Sequence, residues 1–509
     1  DLAALEGDDT DAINFYQKAI IQFYKDFSDD SIFHNPDRYS GVFSYINLYY
    51  TLTAKAALFQ KQYERVKDIQ FLTGSLKTYR SAASLTSYVE GSYDSDEARL
   101  FLNEIKYNTH ANPIDVSLLL YQLTGKKDYL EDAWFFDQRN KAAILSFNVG
   151  QSEMIRRADI PAEWRNTEKK IKQSLTRLSI KATGATQEEE ITSLNTAIRD
   201  QEIELGKIQE KIKKAVYQNP AALPSDVPGA AYLQQQVMDR NSAILSYHFS
   251  EDSMVIFCIK KESFTYCKTA FDRNRHDTLD LYSKNLRSFD PEKRRDIDRL
   301  GRRVYDYLIK PVKEDIKDAS ELIIIPDDDL NYIPFETLVD EQGRYLVEAV
   351  PVEYQYTASL LLRSAKTNQE SNKLLTLGFA PFTQKYPGLD WPPLPFSENE
   401  MENAKGKILT GTDARKDSLL FYANKYPLLH FATHAMANDE VPLQSYISFS
   451  PARDSNYRLY AGEIYDLDLD STDLVILSAC ETGSGKLIRG EGMMSLTRAF
   501  SYAGCPNII

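Results

Sequence analysis

Leu428-Leu429-His430-Phe431-Ala432-Thr433-His434 and Leu474-Val475-Ile476-Leu477-Ser478-Ala479-Cys480-Glu481-Thr482-Gly483 decide how this chain reads. Each opens on a short apolar run of the kind that suits a strand buried on both faces. Each then ends in a reactive residue. Two comparable runs, Leu322-Ile323-Ile324-Ile325 and Leu374-Leu375-Thr376-Leu377, come earlier, and helical segments separate all four. That alternation predicts a mainly parallel sheet covered on both sides. In such sheets chemistry gathers at the carboxyl ends of the strands, where His434 and Cys480 both fall. If their strands are neighbours, imidazole and thiol face each other across a cleft.

The pairing has a chemical logic. A thiol with an ordinary pKa near ~8.5 is mostly protonated at neutral pH, and a nearby imidazole can take that proton or stabilise the thiolate. The thiolate then attacks a carbonyl, and His434 protonates the leaving amine. The backbone N–H groups of Ala435 and Cys480, both at strand-end turns, are candidates for an oxyanion hole. Gly483, Gly485, Gly490 and Gly492 let the chain turn tightly after the thiol. The interval from His434 to Cys480 is close to the ~50 residues that separate the pair in caspases.

At these residues the C-terminal region resembles the CHAT domain, a family related to caspases and separases. His-Phe-Ala-Thr-His at 430–434 and Ser-Ala-Cys-Glu-Thr-Gly at 478–483 correspond to its two core motifs. Gly490-Glu491-Gly492 and Arg498-Ala499-Phe500 correspond to the family's pattern downstream of the cysteine. The stretch from Pro326 to Leu338 is similar to an earlier family segment, and the resemblance runs from about residue 240 to the end. Ala435 stands where the family often has Gly, which leaves a backbone N–H donor in place. The resemblance implies a caspase-like α/β fold, cysteine-protease activity without a cofactor, and helical repeats ahead of the protease domain.

The N-terminal half is helical in pattern. Ala12, Tyr16 and Ala19 resemble the second helix of a tetratricopeptide repeat, and related patterns recur at Leu72–Tyr79 and Leu123–Ala133. From about 163 to 217, Leu194, Ile198, Leu205, Ile208 and Ile212 form a heptad-like stripe amid charged residues, predicting an antiparallel helical hairpin that turns near Lys181–Thr186. Three prolines and a glycine between Gln218 and Gly229 end it. Strands at Ala243–Phe249 and Met254–Ile259 read as a pair, and a long polar helix is expected over 278–317. The fold class is therefore α + α/β: a TPR-like repeat region over 1–160, a hairpin and linker over 161–230, and a caspase-like domain with a mainly parallel sheet over 231–509.

Bulk properties narrow the function. The chain has 509 residues and a formal charge of −14, which argues against general nucleic-acid binding. No stretch approaches the ~18 apolar residues of a membrane span. The start, Asp1 to Gly7, has neither an export signal's basic region nor its apolar one. It lacks an initiator Met and reads as trimmed; Pro506–Ile509 reads as a strand. Four cysteines without CxxC spacing argue against a disulfide scaffold and a structural zinc site and fit a reducing cytoplasm. Cys258, Cys267, Cys505 and His430 read as core residues, and His34, His110, His248 and His276 show no metal-ligand spacing. Tyr465–Asp473 lacks the turn Gly of a calcium loop, and Gly483-Ser484-Gly485-Lys486 lacks the Ser/Thr of a phosphate loop.

Asp327, Asp328, Glu481 and Gly483 are candidates for binding substrate, the acids by holding a basic side chain. The reading is a regulated cysteine endopeptidase with a protein substrate. By resemblance it would act in bacterial defence or cell death, on a gasdermin-like pore former or a regulatory protein, with an activating protein or ligand docked on the repeats. The competing readings are a silent interaction scaffold and a cysteine hydrolase acting on non-peptide substrates.

Overall fold

A computed structural model describes residues 9–42, 44–93, 96–107, 111–157, 160–216, 227–236, 241–288, 290–367, 375–387, 389, 391–451, 457–480, 483 and 485–509. The chain packs as two compact units, and each is drawn from two separate stretches. One takes Asp1–Ile144 and Val227–Ala358; the other takes Leu145–Asp226 and Ser359–Ile509. These packing units cut across the three stretches expected from sequence. Most of the expected break at 218–229 lies outside the described residues.

The first unit begins with helices α1 (Asp9–Phe23), α2 (Tyr45–Val66), α3 (Ile69–Ser92), α4 (Asp96–Tyr107), α5 (Ala111–Thr124) and α6 (Lys127–Arg139). A glycine on α3 admits the loop between α1 and α2. A Cβ on Gly74 of α3 would meet the Phe33 ring at 2.9 Å, so only glycine fits there. The helical region is consistent with repeats, although the stretches that suggested them are not equivalent. Leu72–Tyr79 lies inside α3, whereas Leu123–Ala133 spans the turn from α5 to α6, where Gly125 takes a φ of 67°.

A mixed sheet comes next in the order β3-β2-β1-β4-β5, from β1 (Ser242–Phe249), β2 (Ser253–Lys260), β3 (Ser263–Ala270), β4 (Glu321–Ile325) and β5 (Val352–Tyr354). The expected hairpin of β1 and β2 is antiparallel, and β4 runs parallel to β1. Leu245, Tyr247, Ile256 and Cys258 share a buried cluster with Leu279, Tyr282, Val304 and Leu308 of α11 (Arg273–Arg287) and α12 (Arg294–Leu308), numbered after α7 (Ala143–Arg157), α8 (Ala162–Gly184), α9 (Glu188–Val216) and α10 (Ala230–Gln236). On the opposite face Trp134 of α6 meets Phe257 edge-on at 5.9 Å. The long helix expected over 278–317 is broken, because Pro291 and Pro311 open short 3₁₀ turns where an α-helix would need their missing N–H.

In the second unit α8 and α9 form the expected antiparallel hairpin. Its burial is confined to one end. Ile208 and Ile212 pack with Ile160, Trp164 and Ile171, while Leu194 and Ile198 stay half-exposed. The second sheet is parallel throughout, in the order β15-β12-β8-β6-β7, from β6 (Thr376–Ala380), β7 (Gly406–Thr410), β8 (Leu428–Ala432), β12 (Leu474–Ser478) and β15 (Asn507–Ile508). The run expected at 374–377 therefore sits later, at Thr376–Ala380, and Leu374 is outside the described residues. The run at Leu322–Ile325 belongs to the other sheet.

Alternation along β8 explains its place. Leu429 and Phe431 enter one core with Val475, Leu477, Leu496 and Phe500, while Ala432 packs on the other face with Ala380 and Met401. Phe431 stacks on Phe379 of β6 at 5.5 Å and meets Phe500 at 5.7 Å, so it pins β8 between its neighbours. Removing that ring would cost about 3–5 kcal/mol. Past the end of β8 the chain forms a small antiparallel sheet in the order β11-β10-β9, from β9 (Ala435–Met436), β10 (Tyr446–Ser448) and β11 (Arg458–Tyr460). No helix among the described residues is long and apolar enough to cross a membrane.

Candidate active site

β8 and β12 are hydrogen-bonded neighbours, and their last aligned residues are Ala432 and Ser478. His434 and Cys480 each lie two residues further on, at matched places beyond the carboxyl ends of adjacent parallel strands. The ladder reaches one step past the strands, since the Thr433 N–H donates to the Ser478 carbonyl at 3.3 Å. Both residues therefore follow the same end of the sheet, from neighbouring strands. Cys480 is exposed and free of any disulfide.

His434 is held firmly and is only 8% exposed. Its ring stacks on Trp391 at 4.7 Å with the planes 13° apart, and Phe382 meets it edge-on at 4.9 Å. Both rings belong to the segment after β6. That segment folds back on itself through the Leu394 N–H, which donates to the Phe382 carbonyl at 2.6 Å. His434 Nε2 lies 2.8 Å from the Pro392 carbonyl oxygen. A carbonyl only accepts, so Nε2 carries the proton, and in the neutral ring Nδ1 is left as the acceptor.

The small sheet orients Ala435. Ser448 N–H donates to the His434 carbonyl at 2.9 Å, which makes His434 and Ser448 a hydrogen-bonded pair. The next aligned pair, Ala435 and Ile447, is therefore non-bonded in an antiparallel ladder. The N–H and C=O of Ala435 point away from β10, toward the outer edge of β9. Among the described residues β9 is an edge strand.

After Cys480 the chain makes a hairpin of β13 (Gly485–Ile488) and β14 (Gly492–Ser495). A Cβ on Gly485 would stand 2.2 Å from the Met494 carbonyl oxygen, and Gly490 and Gly492 take φ of 77° and 81°. These glycines shape the hairpin, while Gly483 has nothing within 4 Å of its Cβ position. Glu491 and Arg498 are buried and paired at 2.6 Å, a second arginine nitrogen donates to the Glu491 carbonyl, and Ser495 caps the helix that carries Arg498. The motif residues after the cysteine thus fasten the hairpin to the helix over the core.

His430 sits mid-strand on β8. Its Nε2 lies 3.2 Å from Ser478 Oγ and 3.4 Å from Glu400. Burial lowers its pKa, against an opposing pull from Glu400.

The remaining candidates separate. Asp327 and Asp328 belong to the first unit. The Asp327 carboxylate is buried and accepts from the Phe249 N–H at 2.9 Å. It stands 3.8 Å from His248, which lies at the same distance from Asp137. Burial pushes its pKa up to about 6, with Lys141 and the Phe249 N–H opposing. Asp328 is half-buried with a φ of 40°. Glu481 lies outside the described residues, as does His110. Sequence reasoning missed Pro392, Trp391 and Phe382. The available signal was a Trp-Pro-Pro run, since adjacent prolines stiffen a loop that can then hold a side chain in place.

The fold is a helical region followed by α/β structure, with an all-parallel five-stranded sheet in the second unit. Residues 298–509 match the CHAT domain. The match starts inside α12, leaving β1 to β3 outside it. No curated protein matches the chain in sequence. Among solved structures it is similar to the Saccharomyces cerevisiae separase–securin complex, at 9% identity and a TM-score of 0.33, over 98% of this chain and 45% of that one. The chain thus spans less than half the length of that relative.

Proposed function

We propose that this protein is a regulated cysteine endopeptidase in which His434 and Cys480 act as the dyad. The observation that carries the reading is their matched register beyond the neighbouring strands β8 and β12. With Nε2–H committed to the Pro392 carbonyl, Nδ1 takes the thiol proton. The thiolate attacks the scissile carbonyl, and the N–H groups of Ala435 and Cys480 receive the negative charge on its oxygen. His434 then returns the proton to the leaving amine, and water hydrolyses the resulting thioester.

Glu481 and Gly483 come just after the nucleophile in sequence and are assigned to the residue before the scissile bond, which an acidic wall would select as basic. By resemblance the helical region docks an activating protein or ligand, and the substrate is a dedicated protein such as a gasdermin-like pore former or a regulatory protein. The setting would be the bacterial cytoplasm in defence or cell death.

The test incubates the full chain with a proteome-derived peptide library and compares it with Cys480→Ala and His434→Ala by mass spectrometry. Each substitution is expected to lower cleavage by ~10³-fold or more. The same cleavage pattern from wild type and Cys480→Ala would remove the protease assignment.

A further inference from the structure

We infer that the strand leaving His434, with the turn after it, forms the binding surface for the part of a substrate C-terminal to the scissile bond, and that it selects apolar and then basic residues there. The inference rests on the protease reading and adds to it the side of the substrate that reading leaves open. His434 protonates the leaving amine, so the departing half of the peptide lies on the His434 side of Cys480. The chain on that side is β9 and the turn after it.

Three observations give this surface its chemistry. Among the described residues β9 is an edge strand, and at Ala435 both backbone groups point to that edge. Its N–H is the candidate oxyanion donor, so the C=O of the same residue lies in position to accept an N–H from an extended peptide, as in strand addition. Apolar side chains are exposed beside that edge: Met436 at 43%, Val441 at 40% and Leu443 at 44%. Met436 projects from the opposite face to buried Ala435, on the face of its strand partner Tyr446. Asp439 and Glu440 are also exposed, and neither is in an ion pair among the described residues.

The turn is built rather than loose. Asn438 Oδ1 accepts from the N–H groups of Glu440 at 3.1 Å and Val441 at 2.8 Å. Its own N–H donates to Ser445 Oγ at 2.9 Å, and a 3₁₀ turn runs from Pro442 to Gln444. The backbone that carries the two carboxylates and the apolar side chains is therefore held in place within ten residues of His434. That continuity and the negative charge select one occupant, an extended peptide with an apolar residue near Met436 and basic residues toward Asp439 and Glu440.

The test digests a peptide library randomised on both sides of the cleaved bond with wild type, Met436→Asp and the double variant Asp439→Lys/Glu440→Lys. The readout is the ratio of products within one digest, so partial loss of folded enzyme cancels. Wild type is expected to enrich apolar and basic residues in the first four positions after the cleaved bond. Met436→Asp should lower the apolar preference at least ~5-fold, and the double variant should invert the basic one, with preferences before the bond unchanged. Unchanged preferences after the bond in both variants would overturn the inference and leave the protease reading standing. Absence of any Cys480-dependent cleavage by wild type would overturn both.

Discussion

The two five-stranded sheets place a polar pair at the same address and treat it in opposite ways. In the second unit His434 and Cys480 lie two residues past the last aligned pair of β8 and β12. In the first unit His248 and Asp327 lie two residues past the last aligned pair of the parallel strands β1 and β4. There the resemblance stops. Around His248 the site is sealed by α6 and the residues just after it. Lys141 Nζ directs its three donors to Asp137, Ser246 Oγ and the Tyr247 carbonyl, and Ser246 Oγ donates to Asp137 at 2.7 Å. Lys141, Asp137, His248 and Asp327 are all buried. At the other address the thiol is exposed, and the histidine is gripped by two aromatic rings and a carbonyl. Register alone therefore makes a place for chemistry; residue type and access decide whether it is used.

The largest expected effect tests the seal. Lys141→Met leaves Asp137 buried without its cation, which should cost about 3–5 kcal/mol in denaturant unfolding. An unchanged stability would mean that the cluster is not closed, and the comparison would fail on that side.

The Asp327 carboxyl provides a second measurement. Its pKa is raised from 3.8 to about 6, mainly by burial, so the folded state holds the proton more tightly than the unfolded one. Its contribution to stability is full below the unfolded pKa and is lost as pH rises through the folded one. The stability of wild type relative to Asp327→Asn should therefore fall by ~1–3 kcal/mol between pH 4 and pH 6, read by unfolding at several pH values. A difference that does not vary with pH would show a carboxylate in ordinary solvent.

On the open side a smaller effect is expected. Trp391→Ala removes a ring stack worth ~0.5–1.5 kcal/mol and should lower turnover up to ~10-fold without abolishing it. Loss as complete as that of His434→Ala would make Trp391 part of the reacting group rather than a support for it.

Much of this contrast was legible in the residues themselves. The apolar runs at Leu428–Phe431 and Leu474–Leu477 announced strands, and their polar ends marked the candidate dyad. What stayed hidden depends on partners distant in sequence. The run at Leu322–Ile325 looks like the other three, yet its pairing with β1 and β5 puts it in a different sheet, and nothing in an apolar run names its neighbour. His248 read as a histidine without metal-ligand spacing and Asp327 as a candidate for binding substrate, because the lysine that joins their cluster follows a helix read only as part of a repeat. The grip of Pro392 on His434 was hidden for the same reason. A backbone carbonyl has no side-chain signature.

Matched register should make His434 and Cys480 one working unit, and peptide-resolved alkylation puts that to the test without any substrate. The rate at which iodoacetamide labels Cys480 would be measured at pH 6.5 in the full chain and in His434→Gln. Labelling is expected to be at least ~10-fold faster with His434 present, because the imidazole generates the reactive thiolate. Equal rates in the two proteins would mean that the imidazole and the thiol do not act together.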